Sequence, residues 1–220
     1  MPSAKQFPEK QFPVVKEGFI FIGISALLTL AAALFWGGSA AVVPGLITLF
    51  CIYFFRDPRR VVPQGENLLV SPADGKVVDV SRSEEQRFLK KPAIKISIFL
   101  NIFNVHVNRV PVAGKVVGIF YNTGRFFAAN APKASLENEQ NALILETTGG
   151  KRVVCIQIAG LIARRIVCWI KEGSVAERGE RFGLIRFGSR VDLFLPIETE
   201  ILVSEGDHVK GGETILGVLR

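Results

Sequence analysis

The dipeptide Gly188-Ser189 has residue types and a setting from which chemistry could arise. It interrupts two apolar, strand-like segments in FGLIRFGSRVDLFLP, a setting that sets it apart from the Gly-Ser pairs at 38–39 and 173–174. Glycine between strand segments often marks strain or a close approach of the backbone. A serine there becomes a nucleophile when a neighbouring base removes its proton. The structural alternative is a β-bulge, where such a glycine is common.

Two further residues have the types that would complete a nucleophilic site. His106 lies between valines in FNVHVNRVP and is one of only two histidines, and its pKa range suits proton transfer. Asp74 lies in SPADGKV, where Pro72 and the Asp-Gly pair predict a tight turn that presents the carboxylate rigidly. The alternatives are a core histidine and an ordinary Asp-Gly turn. In a Ser-His-Asp arrangement, His106 oriented by Asp74 would serve as the base for Ser189.

A long uncharged stretch must position these residues relative to a membrane. From Gly18 to Phe55 there are 38 residues without a charge, too many for one ordinary span and suited to two short ones. Glycines near the middle divide the stretch into predicted spans at 18–36 and 39–55. A cleaved signal peptide is the alternative, but its apolar region is about 7–15 residues long.

Charge predicts the orientation of this hairpin. Basic residues flank it on both sides: Lys5, Lys10, Lys16, Arg56, Arg59 and Arg60. The positive-inside rule therefore places both ends, and the domain that follows, on the cytoplasmic side of the cell membrane. The formal net charge of +7 then suits an anionic lipid surface better than a nucleic acid. The three cysteines lie in apolar segments and there is no Cys/His ligand cluster, so neither disulfides nor a metal site are expected.

The remainder of the chain reads as a mainly β fold. Short β-branched runs recur between Gly, Pro and polar residues, at 76–80, 94–100, 115–121, 152–158, 165–170 and 190–196. A short helix or ordered loop is predicted at 130–142. A last strand pair, 199–203 and 214–219, is joined by SEGDHVKGGE, which resembles the hairpins of biotinyl and lipoyl carrier domains. It has neither the Met-Lys-Met nor the Asp-Lys sequence that carries their prosthetic group. The expected organisation is a cytoplasmic segment at 1–17, a membrane hairpin at 18–55 and one β-rich domain at 56–220.

Several of these segments resemble the phosphatidylserine decarboxylase family in its short, pyruvoyl-dependent form. The matching segments are YFFRDPRR, SPADGKV, FNVHVNRVP, NAPKASLENEQN, QIAGLIARRIV and FGSRVD. They occur in the order of the family and extend over essentially the whole soluble part. The hairpin also resembles the membrane segment of the short family members.

The resemblance implies a self-cleaving carboxy-lyase. Ser189 would attack the carbonyl of Gly188, and the chain would divide into a β chain, 1–188, and an α chain, 189–220, that form a heterodimer. Ser189 would become a covalent pyruvoyl group, the cofactor. That group would form a Schiff base with phosphatidylserine, so that carbon dioxide leaves and phosphatidylethanolamine is released. The resemblance gives His106 and Asp74 the role of the base and its partner in cleavage.

The sequence also departs from the family pattern. Long bacterial members carry Leu-Gly-Ser-Thr at the cleavage site and two histidines in the segment that here contains only His106. Either His106 serves both cleavage and decarboxylation, or Asn108 or Arg109 takes one of the two roles.

Four other functions compete with phosphatidylserine decarboxylation. A non-enzymatic, membrane-anchored β module would use Gly188-Ser189 only as a bulge and would remain one polypeptide. An ordinary serine hydrolase is disfavoured because the sequence has no GxSxG or SxxK motif. A pyruvoyl enzyme for a soluble amino acid would not need the hairpin, whereas an archaeal-type ether-lipid serine decarboxylase would.

Overall fold

The computed structural model describes residues 13–124, 138–160, 165–186 and 189–220. The chain forms two compact units, Pro8–Arg59 and a larger one that contains Arg60–Arg220.

The smaller unit consists of two apolar helices. A single 3-10 turn, Lys16–Gly18, leads into α1, Phe19–Trp36, which is followed by α2, Gly38–Phe54. Between them Gly37 has φ +87°, a conformation that favours glycine and lets the chain reverse. The helices meet through the hydroxyls of Thr29 and Thr48, whose oxygens are 3.2 Å apart.

One stretch in the described residues, Lys16–Trp36, is long and apolar enough to cross a membrane. The second helix, Gly38–Phe54, is equally free of charge but shorter. Large side chains on α1 are exposed, among them Leu34, Phe35 and Trp36. Apolar surface of this extent is unfavourable in water and favours an apolar environment.

The larger unit is built from antiparallel strands. They are β1 Leu68–Val70, β2 Gly75–Glu85, β3 Lys91–Leu100, β4 Val107–Arg109, β5 Gly114–Asn122, β6 Gln140–Glu146, β7 Arg152–Ala159, β8 Ile166–Cys168, β9 Val175–Ala176, β10 Arg181–Ile185, β11 Ser189–Pro196, β12 Glu200–Ile201, β13 His208–Val209 and β14 Ile215–Val218. An eight-stranded sheet has the order β13-β2-β3-β11-β7-β6-β5-β9, and two three-stranded sheets have the orders β4-β10-β8 and β1-β14-β12.

The predicted mainly β fold is confirmed. Every predicted strand segment contains a strand, and the last two form the expected pair, because Glu200 lies opposite Val218 in β12 and β14. The prediction of a helix or loop at 130–142 is wrong for its last residues, because Gln140–Glu146 is a strand. The apolar run NALILE is buried on both faces there, which a sheet interior favours. Residues 130–137 lie outside the described residues.

Strand β11 lies at the centre of the large sheet. It pairs with β3 on one side and β7 on the other. Its side chains alternate between two buried faces: Val191, Leu193 and Leu195 belong to the main core, whereas Phe194 packs in a second cluster. A central strand buried on both sides holds its first residue, Ser189, in a fixed position.

Candidate active site

Ser189 is buried at the start of the central strand. Its backbone lies opposite Leu100 of β3 and Ala159 of β7, and its side chain is inaccessible to solvent. Its Oγ has no hydrogen-bond partner in the described part of the chain. A buried hydroxyl without a partner costs about 1–3 kcal/mol, so its presence requires an explanation, and reactivity is one. Gly188, the other half of the predicted cleavage site, lies outside the described residues.

Two connections place His106 at the same end of the large sheet as Ser189. From Leu100, which lies opposite Ser189, a tight turn leads into the His106 segment. From the other side, the N–H of Ile185, four residues before Ser189, donates to the carbonyl of His106 at 3.4 Å. The structure therefore places the predicted base and the predicted nucleophile in one region.

A hydrogen bond defines the tautomer of His106. Its Nδ1 lies 2.9 Å from the carbonyl oxygen of Asn104, and the imidazole is fully buried. A carbonyl oxygen only accepts, so Nδ1 carries the proton. Nε2 is then the basic nitrogen of the neutral ring, the form that can take a proton from a hydroxyl.

Asp74 has a different set of partners from the one that the sequence suggested. Nη2 of Arg60 lies 2.9 Å from both carboxylate oxygens, and the N–H of Gly211 donates to Oδ1 at 2.8 Å. The turn that carries Asp74 is joined to β4, because the N–H of Arg109 donates to the carbonyl of Pro72. Asp74 thus lies next to the strand that begins after His106, within an ion pair that fixes its carboxylate.

Three buried side-chain amides are linked by hydrogen bonds on the face of the large sheet to which Ser189 and the main core belong. Sequence reasoning did not find this arrangement. Nδ2 of Asn141 donates to Oε1 of Gln157 at 2.9 Å, and Nε2 of Gln157 donates to Oδ1 of Asn108 at 2.7 Å. Nδ2 of Asn108 is buried and has no partner among the described residues. The signal in the sequence was the presence of Asn141 and Gln157 inside otherwise apolar strands.

Glycine at position 183 allows β10 to approach this amide chain. A Cβ on Gly183 would lie 3.0 Å from Nε2 of Gln157 and 2.3 Å from the carbonyl oxygen of Val167. Because the backbone of β8 cannot retreat as a flexible side chain can, any larger residue would push β10 away from β8. It would also disturb His106, whose carbonyl accepts the N–H of Ile185 in β10.

Glu139 lies at the same end of the large sheet as Ser189. Its Oε1 accepts a hydrogen bond from the hydroxyl of Tyr121 at 2.6 Å and another from the N–H of Ile166 at 3.0 Å. The ring of Tyr121 is half-exposed, but desolvation of its hydroxyl beside Glu139, and then the hydrogen bond and charge of Glu139, raise the pKa of Tyr121 to about 12. Arg165 opposes this shift through its positive charge.

We expect the Tyr121 phenol to remain protonated well above its ordinary pKa of 10.0. The unfolded chain loses this proton near pH 10, whereas the folded chain retains it until about pH 12. The contribution of Tyr121 to stability is therefore complete below pH 10 and is lost as the pH rises towards 12. Ultraviolet titration of phenolate in wild type and Tyr121→Phe measures it; a midpoint near 10 would contradict the assignment.

Within the described ranges, no group of three or more His, Cys, Asp or Glu side chains is placed to hold a metal ion.

Comparison with known proteins gives one consistent family. The family model of phosphatidylserine decarboxylase matches residues 47–217. A "Phosphatidylserine decarboxylase proenzyme" of Syntrophus aciditrophicus (strain SB) is 54% identical over 205 residues, which cover 93% of this chain and 96% of the relative. Proteins of the same name from Desulfotalea psychrophila and Geotalea uraniireducens are each 49% identical, over 95% and 96% of this chain and 98% of each relative.

Proposed function

Because the chain belongs to the phosphatidylserine decarboxylase family, and is therefore a carboxy-lyase, we propose that it acts through a pyruvoyl group made from Ser189. Its reaction releases carbon dioxide from phosphatidylserine and leaves phosphatidylethanolamine. The buried Oγ of Ser189, without a partner in the described part of the chain, carries the pyruvoyl proposal. The chain is a proenzyme by the same proposal.

Formation of the group begins with the serine hydroxyl. Oγ of Ser189 attacks the carbonyl carbon of Gly188, the C–N bond breaks, and an ester joins the two residues. Loss of the Cα proton and cleavage of the Cβ–Oγ bond release residues 1–188 with a carboxylate and leave dehydroalanine. One water then converts dehydroalanine to the pyruvoyl group and ammonia. No redox partner is required.

His106 and Asp74 are the residues that we assign to this step. The basic Nε2 of His106 takes the hydroxyl proton, as a general base must for so weak a nucleophile. Asp74, fixed by Arg60 and Gly211, holds its carboxylate next to β4, the strand that begins after His106, and we assign it as the acidic partner in this step. Asn108 directs a buried N–H into the same region and is suited to hold an oxygen of the reacting group.

The sheet explains how the two chains would stay together after cleavage. The α chain, 189–220, comprises β11 to β14. Its first strand pairs with β3 and β7, β13 pairs with β2, and β14 pairs with β1, all within 1–188. Backbone pairing and core burial on both faces of β11 would therefore retain the αβ heterodimer without the peptide bond.

The pyruvoyl carbonyl, when present, supplies an electrophile for the substrate amine and accepts the electron pair that remains when carbon dioxide leaves. The protein must then exclude water and return a proton. Burial of residue 189 between β3 and β7 provides the exclusion, and the His106 imidazole is the group that can deliver the proton.

The apolar helices favour a substrate taken from the bilayer. We assign α1 and α2 to a membrane hairpin with both ends, and the β domain, on the cytoplasmic side, as the flanking basic residues indicate. Anionic lipid is concentrated at that surface, where each basic residue contributes about 1 kcal/mol of attraction.

We expect release of carbon dioxide from phosphatidylserine in mixed micelles to exceed greatly that from glycerophosphoserine or free serine. The reason is that the anchored enzyme meets its lipid substrate at an interface where both are concentrated. Radiolabelled carboxyl groups provide the measurement, with Ser189→Ala as the inactive control. Equal turnover of free serine and phospholipid would show that the lipid assignment is wrong even if cleavage occurs.

A further inference from the structure

Exposed apolar side chains lie on both sides of Ser189, at one end of the large sheet. We call these residues the site edge: Ile102, Phe103, Phe120 and Tyr121. Phe103 is 60% exposed and Tyr121 is 54% exposed. Isolated apolar residues are ordinary on protein surfaces, but a group of them around a reactive residue indicates contact with something apolar.

Strand register places the site edge around Ser189. One row of residues crosses the sheet, and each member lies opposite the next: Phe99, Arg190, Ile158, Gln140 and Asn122. This row crosses from β3 to β5 immediately beside Ser189. Ile102 and Phe103 follow the end of β3, and Phe120 and Tyr121 precede Asn122 at the end of β5. With strands about 4.8 Å apart, the two apolar groups lie roughly 19 Å from each other on opposite sides of the reactive residue, a distance over which a bilayer surface can contact both.

Three backbone N–H groups of the turn that carries Ile102 and Phe103 have acceptors within the turn. The N–H of Asn101 donates to Oδ1 of Asn104 at 2.9 Å, and that of Phe103 donates to Oδ1 of Asn101 at 2.8 Å. The N–H of Asn104 donates to the carbonyl of Asn101 at 3.0 Å. Each N–H group that already has an acceptor lowers the cost of bringing this turn to the boundary of an apolar phase.

Basic residues accompany the apolar ones. Lys76 is exposed and lies opposite Phe99 in the same row. Arg165 is exposed, and its carbonyl accepts a hydrogen bond from Arg186, three residues before Ser189. Apolar tips next to cations suit an anionic phospholipid surface, where the tips enter the acyl boundary and the cations remain among the headgroups.

We propose that the site edge is a bilayer-docking surface, in which Ile102 and Phe103 enter the membrane and hold Ser189 at headgroup level. This deepens the proposed function, on which it rests for the identity of the lipid that reaches residue 189. It adds a contact separate from the apolar helices. The same chain offers a matched control, because Val175 is 79% exposed and lies opposite Lys115 at the other end of the sheet.

The first experiment measures insertion without reference to catalysis. Phe103→Trp and Val175→Trp are made in the full-length protein that also carries Trp36→Phe and Trp169→Phe, which removes both native tryptophans. Their fluorescence is recorded in vesicles of anionic phospholipid with brominated acyl chains. We expect blue-shifted, quenched emission for F103W and unchanged emission for V175W. The same result is expected in the Ser189→Ala background, because docking does not require cleavage.

The second experiment measures how much catalysis on vesicles depends on the site edge. Relative to wild type, Phe103→Ser should lower kcat/KM on phosphatidylserine vesicles about tenfold, as loss of one buried phenyl group from the membrane implies. Val175→Ser should leave it unchanged, and both variants should be fully cleaved on a denaturing gel.

Three results would be decisive. Absence of quenching of F103W by the brominated lipid would overturn the docking proposal, even if a soluble protein changes the F103W emission. An equal tenfold loss for V175S would also overturn it. Quenching without carbon dioxide release from any phospholipid would leave the docking surface in place and overturn the proposed function.

Discussion

Purified wild-type protein is expected to separate on a denaturing gel into two polypeptides, 1–188 and 189–220, whereas Ser189→Ala remains a single inactive chain. The loss should be complete, because no other group can form the ester at this position. Intact mass analysis should show that the smaller chain begins with a pyruvoyl group and has no free amine. One 220-residue polypeptide from the wild type would contradict the proposed mechanism.

A neighbouring serine provides the control for this result. Ser97 of β3 is also buried, and its Oγ likewise has no partner among the described residues. Ser97→Ala should cleave normally. Replacing a buried hydroxyl that has no partner removes its desolvation cost, so neither Ser189→Ala nor Ser97→Ala should unfold below the temperature of the wild type. Failure of both to cleave would indicate a general effect on the sheet.

His106→Ala and Asp74→Asn are each expected to slow self-cleavage by about 10²–10⁴-fold, the usual contribution of general base catalysis. If the two residues act as one unit, the double variant should be little slower than the slower single variant. The time course of precursor loss after synthesis in vitro provides the rates. Normal cleavage in His106→Ala would remove this residue from the mechanism, and rescue by added imidazole would support it.

The ion pair of Asp74 requires a separate control. Its partner Arg60 has a side chain that is only 6% exposed, so Asp74→Asn leaves the guanidinium with the more distant carboxylate of Glu213, 3.7 Å away, as its counter-charge. Breaking a buried ion pair in this way is destabilising. Arg60→Met combined with Asp74→Asn removes both charges. If cleavage returns in this double variant, Asp74 acts only by pairing with Arg60. If cleavage stays slow while thermal stability recovers, the carboxylate acts on the chemistry.

Much of the fold was accessible from the sequence because its signals are local. The absence of charge from Gly18 to Phe55 is a property of consecutive residues, and it predicted the apolar helices directly. Runs such as IKISIFL and RVVCIQI predicted β3 and β7 from β-branched content alone. A helix and a strand were harder to distinguish at 130–142, because a short apolar run such as NALILE has no periodicity that separates the two.

The candidate active site depended on both the sequence and the tertiary structure. The sequence by itself determined its chemical inventory: a Gly-Ser pair between strands, a scarce histidine and an Asp-Gly turn. Only the tertiary structure decided their surroundings. It placed Ser189 between β3 and β7, joined Asn108 to Gln157 and Asn141, and gave Asp74 the partner Arg60. Such pairings join distant segments through strand order and register, and these arise when the whole core is buried at once, not from any short stretch of sequence.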